Sequence, residues 1–237
     1  MGVPSLLSAS SQAGTVPLVT AHFSYSVRRA PRARRVRVRV DPVHGVEVVL
    51  PPRASERAAA AAVAELSPWI ERRLADLASA RDRLRGDGTS VPYLDERMTL
   101  VAEHGRIRAH RAGDTLLVPD GAQAGAAIER WYRRAAREEI GARLDAATAA
   151  AGTRYGTLAI RNQRTRWASC ARDGAMSFNW RLLLAPERVL QYVVWHEVCH
   201  LEVADHSPRF WALLEERLPA WREPAAWLRD NGSALVL

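Results

Sequence analysis

One stretch of the sequence, residues 193–201, constrains this chain more than any other. It reads VVWHEVCHL, so two histidines lie four residues apart and a glutamate follows the first of them. On an α-helix, residues at this spacing lie on one face, one turn apart. His196 and His200 can therefore direct their imidazoles at one point, and Glu197, about 100° further round the helix, can reach a water bound there. Zinc hydrolases place two metal ligands and a general base in this way.

The neighbours of these polar side chains make the predicted helix apolar nearly all round, which favours burial: Leu190, Val193, Val194, Val198 and Leu201. Buried histidines and carboxylates without partners are unstable. A divalent cation would give all three a partner. The alternative is a chance match, in which the histidines are ordinary hydrogen-bonded core residues.

A third histidine, six residues further on, is the expected third ligand. Ser207 and Pro208 have the composition of a helix start, with serine at the N-cap and proline at the first helical position. His206 would then lie between two helices, and three protein ligands would leave one tetrahedral position open for water. The alternative is an exposed turn histidine, with Glu202, Glu215 or a more distant acid completing the site.

Two segments around the histidines resemble the YgjP-like metallopeptidases, a family related to the SprT-like proteins: residues 195–201 (WHEVCHL) and 205–211 (DHSPRFW). Residues 166–170 (RWASC) resemble the W-G-S-C segment of that family, with Ala168 where the family usually has glycine. The resemblance covers about residues 23 to 230. It implies a zincin-like α+β fold, with an antiparallel β-sheet packed on the HExxH helix and an N-terminal lobe made of a β-hairpin and a helix.

The chain before the HExxH helix is predicted to form strands over residues 158–161, 166–171 and 175–184. Four polar residues there are candidates for the wall of a substrate cleft: Arg164, Arg166, Ser169 and Asn179. Their donors could bind a substrate carbonyl, a developing oxyanion or a phosphate. An extended peptide could add to this sheet as a further strand. The alternative is that Ser169 and Asn179 only hold the strands to neighbouring backbone.

The length of 237 residues fits one domain, or one domain with a lobe. We expect a disordered leader over 1–20, a single domain over 21–230 and a tail over 231–237. Within the domain, 21–120 is predicted to be β-rich and 121–230 to be the helical, metal-binding part. Helices are predicted over 55–85, with a split or kink at 67–68, and over 122–150. No apolar run reaches the ~20 residues of a membrane span, and the first residues lack the positive start of a signal peptide, so we expect a cytoplasmic protein.

Arginine supplies all 34 basic residues, and the net charge of +8 is concentrated in one segment. Seven of the arginines lie between Arg28 and Arg39, and residues 35–40 read RVRVRV. This alternation predicts a strand with one valine face and one arginine face, paired with a second strand over 46–50. The arginines could bind phosphates or nucleic acid. The favoured alternative is a solvated face that protects an edge strand from aggregation.

Together these features predict a zinc-dependent hydrolase, with His196, His200 and His206 as metal ligands. Glu197 would take a proton from water and pass it to the leaving group. The resemblance favours a metallopeptidase acting on peptides or proteins. One alternative, which the resemblance also implies, is a metal-dependent nucleoside triphosphate pyrophosphatase, and the arginines near the site would suit its phosphate groups. The other is a nucleic-acid-associated binding protein with a structural metal site.

Overall fold

The computed structural model describes residues 18–19, 23–41, 45–85, 88–163 and 166–237. Within these ranges the chain forms five α-helices and three small sheets, which confirms the predicted α+β class. The chain divides into two compact units, Met1–Asp76 and Leu77–Leu237. The predicted leader, residues 1–20, lies outside the described residues except for the short strand β1 (Leu18–Val19).

The first unit contains a four-stranded sheet in the order β1-β2-β4-β3, with β2 at Ser24–Arg29, β3 at Arg37–Asp41 and β4 at Gly45–Leu50. β3 and β4 are antiparallel and form the predicted hairpin, while β2 and β4 are parallel. The residues of the hairpin turn, 42–44, are outside the described ranges. The valines of β3 pack on the buried core of this unit and its arginines are exposed, so the predicted alternation is confirmed.

Helix α1 (Glu56–Arg85) continues through Pro68, so it is not split there, and the predicted alternative of a kink stays a prediction. A proline inside a helix removes one backbone hydrogen bond and destabilises the helix by about 3 kcal/mol. Val63 and Ile70, on either side of the proline, are both fully buried in the core of the first unit. Continuous packing of this apolar face offsets the loss at Pro68.

The second unit begins with a four-stranded sheet in the order β5-β6-β8-β7. Its strands are β5 (Ser90–Tyr93), β6 (Glu96–Glu103), β7 (His110–Ala112) and β8 (Thr115–Pro119). A short 3-10 turn at Gly121–Gln123 leads into α2 (Ala124–Ala151), close to the predicted helix. The apolar stripe of α2 is buried, and Gly152 ends the helix in the left-handed conformation (φ 66°) that glycine adopts without strain.

A third sheet precedes the HExxH helix, with strands β9 (Leu158–Arg161), β10 (Ala168–Cys170) and β11 (Met176–Asn179) in the order β10-β11-β9. The prediction of an antiparallel sheet is wrong, because β9 runs parallel to β11. The chain leaves one strand position open between β9 and β10. β11 fills that position, antiparallel to β10 and parallel to β9. A mixed sheet is the result.

The predicted strand 175–184 ends early, at Asn179, and Trp180–Leu184 form a 3-10 helix. The Asn179 side chain accepts a hydrogen bond from the Arg181 amide at 3.1 Å. Asparagine side chains compete in this way with strand pairing and start helical turns.

The HExxH helix is α3 (Glu187–Cys199), and it is followed by α4 (Pro208–Arg217) and α5 (Arg222–Asn231). α3 packs against α2, α4, α5 and β10. Its apolar residues lie in the main core of the second unit, which holds one face of the helix in place. Among the described helices, none is both long and apolar enough to cross a bilayer.

Candidate metal centre

Three imidazoles meet at one point in the second unit. The Nε2 atoms of His196 and His200 are 3.3 Å apart, those of His200 and His206 are 3.2 Å apart, and those of His206 and His196 are 2.9 Å apart. Among the described residues, these are the side chains grouped closely enough to hold a metal ion together. The histidine cluster is half-buried at His196 and His200 and exposed at His206, so it opens to the surface.

The dimensions of the triangle fit a zinc ion. A tetrahedral site with Zn–N bonds of about 2.05 Å places its nitrogen ligands about 3.3 Å apart. The three Nε2 separations, 3.3, 3.2 and 2.9 Å, are close to that value, so the three histidines could hold such an ion.

The chemistry of the donors also fits a cation. His200 Nδ1 lies 3.0 Å from the carbonyl oxygen of Val203, which can only accept, so Nδ1 carries the proton and Nε2 presents a lone pair. Burial, with the nearby His200 and His206, lowers the pKa of His196 to about 3. Burial also lowers the pKa of His200. Neutral imidazoles with facing lone pairs repel one another, and a divalent cation removes that repulsion.

The position of each histidine follows from the local fold. His196 lies in the last turn of α3, and His200 is its C-cap. His206 is held from the following turn, where Asp205 accepts the Ser207 amide at 3.1 Å and the Trp211 indole donates to the His206 carbonyl at 3.1 Å. The predicted helix start at Ser207 and Pro208 is present, although the Ser207 side chain makes no cap hydrogen bond.

A buried ring supports all three imidazoles from behind. Phe210, fully buried on α4, stacks on His200 with ring centroids 4.5 Å apart and planes at 27°. It makes edge contacts with His196 at 4.9 Å and with His206 at 4.8 Å. The reasoning from sequence did not identify this residue, although an aromatic side chain four positions after His206 was a usable signal.

Glu197 is 5% exposed, and burial raises its pKa to about 7, while a hydrogen bond from the Cys170 backbone amide opposes that rise. Its Oε2 atom is buried and has no hydrogen-bond partner within the described part of the chain. One carboxylate oxygen is therefore free for a ligand. The tie to Cys170 involves only backbone of β10, so no side-chain pattern could have revealed it.

The hydrogen bonds of the β10–β11 hairpin show which backbone groups of β10 point away from β11. The Asn179 amide donates to the Trp167 carbonyl at 2.7 Å, and Ala171 donates to Ala175 at 2.9 Å. Residues alternate along an antiparallel strand, so the backbone polar groups of Ala168 and Cys170 point away from β11. Since β10 is an edge strand of this sheet, these groups have no strand partner on that side among the described residues.

Three of the four predicted substrate-binding residues lie within the described part of the chain, and two of them have hydrogen-bond partners there. The Ser169 hydroxyl pairs with that of Ser177 at 2.9 Å across the hairpin. Asn179 is 2% exposed and donates to the Gln163 carbonyl at 2.8 Å. These contacts favour the alternative that both residues hold the hairpin. Arg166 is exposed, and Arg164 lies outside the described residues.

Three further aromatic residues surround the histidine cluster and were not identified as site residues from the sequence. Tyr192 lies edge-on to His196 with centroids 5.8 Å apart, and Trp211 lies 5.6 Å from His206. Trp221 stacks on Trp211 at 4.9 Å. Together these rings form an apolar wall beside two of the imidazoles.

With this geometry in place, comparison with known proteins identifies the family. The family model described as "YgjP-like, metallopeptidase domain" matches residues 34–231, most of the chain. The chain belongs to the YgjP-like metallopeptidase family. The predicted resemblance is thus confirmed, and membership places this YgjP-like chain among metal-dependent peptidases, which are hydrolases.

Two further comparisons add little to this assignment. No curated protein matches the YgjP-like chain. Among solved structures, it is similar to the metallopeptidase zymogen abylysin of Pyrococcus abyssi, with 23% identity and a TM-score of 0.35. The similar region covers 38% of this chain and 92% of that one. A likeness of this size does not establish a shared fold.

Proposed function

We propose that this chain is a zinc-dependent peptidase in which His196, His200 and His206 bind the metal and Glu197 is the general base. One observation carries the proposal: three Nε2 atoms lie within 3.3 Å of one another, and the residue after the first histidine is a buried carboxylate with a free oxygen.

The donor set supports zinc over other common cations. Three neutral imidazole nitrogens suit zinc, whereas magnesium and calcium prefer oxygen ligands. A structural zinc site is usually closed by four protein ligands, and a catalytic one has three and an open position. The cluster has three, and its exposed member, His206, leaves it accessible from solvent.

The residues of the chain divide the chemistry between them. Bound zinc supplies a Lewis acid that polarises the scissile carbonyl and lowers the pKa of water toward about 7. Glu197 removes a proton from the attacking water and delivers it to the leaving amine. The Oε2 atom of Glu197 is buried and has no hydrogen-bond partner among the described residues, which leaves it free to take the proton.

The substrate we propose is an extended peptide lying along β10. The outward N–H and C=O of Ala168 and the C=O of Cys170 can pair with a peptide main chain, as in strand addition to other sheet edges. The edge of β10 would bind the main chain of the substrate, and the residues around it would select the side chains of the substrate.

The decisive experiment compares Glu197→Gln with Glu216→Gln, an exposed glutamate on α4 given the same change. Zinc content is measured by atomic absorption and cleavage by release of peptides from unfolded casein. We expect both variants to retain one zinc per chain, and cleavage by Glu197→Gln alone to fall by about 10² to 10⁴. Full activity of Glu197→Gln, or a wild-type protein that binds no zinc, would contradict the proposal.

The same preparation tests the two alternatives. A panel of nucleoside triphosphates is assayed for pyrophosphate release. If pyrophosphate is released and casein is not cleaved, the pyrophosphatase is the better assignment. Zinc binding without turnover in either assay would favour a structural metal site. Within the described residues, neither alternative has an observation in its favour at the histidine cluster.

A further inference from the structure

The first unit exposes a strongly basic surface that the proposed peptidase chemistry does not use. We define the arginine surface by its exposed members: Arg28, Arg32, Arg34, Arg35, Arg37 and Arg39. In register, Arg28 of β2 and Arg37 of β3 both pair with Val49 of β4, so they share one face and one row of the sheet. Arg39 follows on the same face, and the other three lie in the connection from β2 to β3.

The arginine surface is poorly neutralised. Arg28 pairs with Glu47 at 3.0 Å. Its other five members have no carboxylate partner and no side-chain hydrogen bond among the described residues. In the second unit, by contrast, many arginines are paired with glutamates along or between helices: Arg133, Arg143, Arg188, Arg217 and Arg222. The excess charge is therefore a property of this surface and not of the chain as a whole.

We infer that the arginine surface binds the phosphodiester backbone of double-stranded nucleic acid without reading its sequence. The planar guanidinium group pairs with phosphate through two parallel hydrogen bonds. Arg37 and Arg39 lie two residues apart on one strand, so their Cα atoms are about 6.7 Å apart on one face of the sheet. Backbone contacts of this kind set orientation and affinity but carry no sequence information.

The composition of the same face argues against other anionic partners. The described side chains of β2, β3 and β4 on this face are those of Ser24, Ser26, Arg28, Arg37, Arg39, Asp41, Glu47 and Val49. No aromatic ring is among them to stack on the bases of a single strand. No exposed apolar side chain is among them to enter a lipid interface, because Val49 is 4% exposed.

Binding of this type has a measurable signature. Each phosphate neutralised adds about −0.9 to the slope of log K against log salt concentration, and sequence-independent affinities lie at about 10⁻⁴ to 10⁻⁶ M. Five unpaired arginines give an upper limit of about −4.5 for the slope. The affinity is therefore expected to fall steeply between low and physiological salt.

The experiment measures fluorescence anisotropy of a labelled 20-base-pair duplex DNA with the full-length protein over a range of NaCl concentrations. The test variant combines Arg35→Gln, Arg37→Gln and Arg39→Gln. The control variant makes the same charge change at exposed arginines of the second unit that have no ion pair among the described residues: Arg108→Gln, Arg130→Gln and Arg154→Gln. We expect the slope to become shallower by 2 to 3 in the test variant alone.

Several outcomes would overturn the inference. An equal loss in the control variant would assign binding to net charge and not to this surface. Tighter binding to a single-stranded oligonucleotide, or to polyglutamate of matched charge, would exclude duplex phosphate as the ligand. A variant that combines Arg35→Lys, Arg37→Lys and Arg39→Lys keeps the charge and is expected to keep the salt slope, whereas loss of that slope would contradict binding through charge. None of these results depends on peptidase activity.

Discussion

Replacing Phe210 by alanine tests whether its ring stabilises metal binding in addition to the folded chain. Phe210 is fully buried and contacts the rings of all three histidines at centroid distances of 4.5 to 4.9 Å. A Phe→Ala change in a core destabilises a protein by about 3–5 kcal/mol. Leu214, one turn later on α4, is equally buried in the same cluster and makes no ring contact with the imidazoles. Leu214→Ala is the matched control, at about 2–5 kcal/mol.

The two variants should differ in zinc affinity. Loss of groups that orient metal ligands typically weakens binding 10- to 100-fold. This factor corresponds to about 1.4–2.7 kcal/mol. We therefore expect Phe210→Ala to lose that much of its zinc-dependent stabilisation, and Leu214→Ala to lose little of it. The milder Phe210→Leu should show the same direction with a smaller loss of folding stability.

The assay titrates zinc against a chromophoric chelator and compares thermal unfolding with and without the metal, since the stabilisation by a ligand rises with the logarithm of its affinity for the folded state. Equal zinc affinities for Phe210→Ala and Leu214→Ala would refute the reasoning. The imidazoles would then be fixed by the backbone of α3 and the following turn, with no contribution from the ring behind them.

Three other changes have defined outcomes. Trp211→Phe removes the indole N–H that holds the third histidine's main chain, and should weaken zinc binding by about 0.5–1.5 kcal/mol in the same chelator titration. Burial alone would raise the pKa of Glu139, but hydrogen bonds led by that of Arg143 lower it below its usual 4.5. Ionised Glu139 therefore stabilises the folded protein above pH 4.5, and this contribution is lost as the pH falls through the lowered pKa. In urea unfolding, the free energy of unfolding of Glu139→Gln should depend less on acid pH than that of wild type. Gly232→Ala would place a Cβ atom 2.9 Å from the Trp167 ring, and should lower the free energy of unfolding in urea by about 1–3 kcal/mol.

The convergence of the three imidazoles was predictable because it depends on local rules. The helical period fixes His196 relative to His200, and the proline-initiated helix after the turn brings His206 back to them. The valine and arginine alternation of β3 is equally local, since side chains of a strand point alternately to opposite faces.

The features that the sequence did not reveal depend on distant parts of the chain. The direction of β9 is decided by which strand it pairs with, and that choice involves packing across the whole unit. Pro68 has a local preference to break the helix, which burial of Val63 and Ile70 overrides. The effect of the Cys170 backbone on the pKa of Glu197 depends on how β10 packs on α3, which residue types alone do not reveal. The domain boundaries at 21 and 230 stay a prediction.

The end of α3 at His200 has an electrostatic consequence for the histidine cluster. A helix carries a partial negative charge of about half an electron at its carboxyl end, which favours a nearby cation by about 0.3–1 kcal/mol. The histidine cluster lies at that end, next to the buried Glu197. Before metal loading, the local field therefore attracts cations and repels anionic groups. A zinc ion held by the three histidines would reverse the sign of this field, and a carbonyl oxygen that gains negative charge would then be attracted to the site.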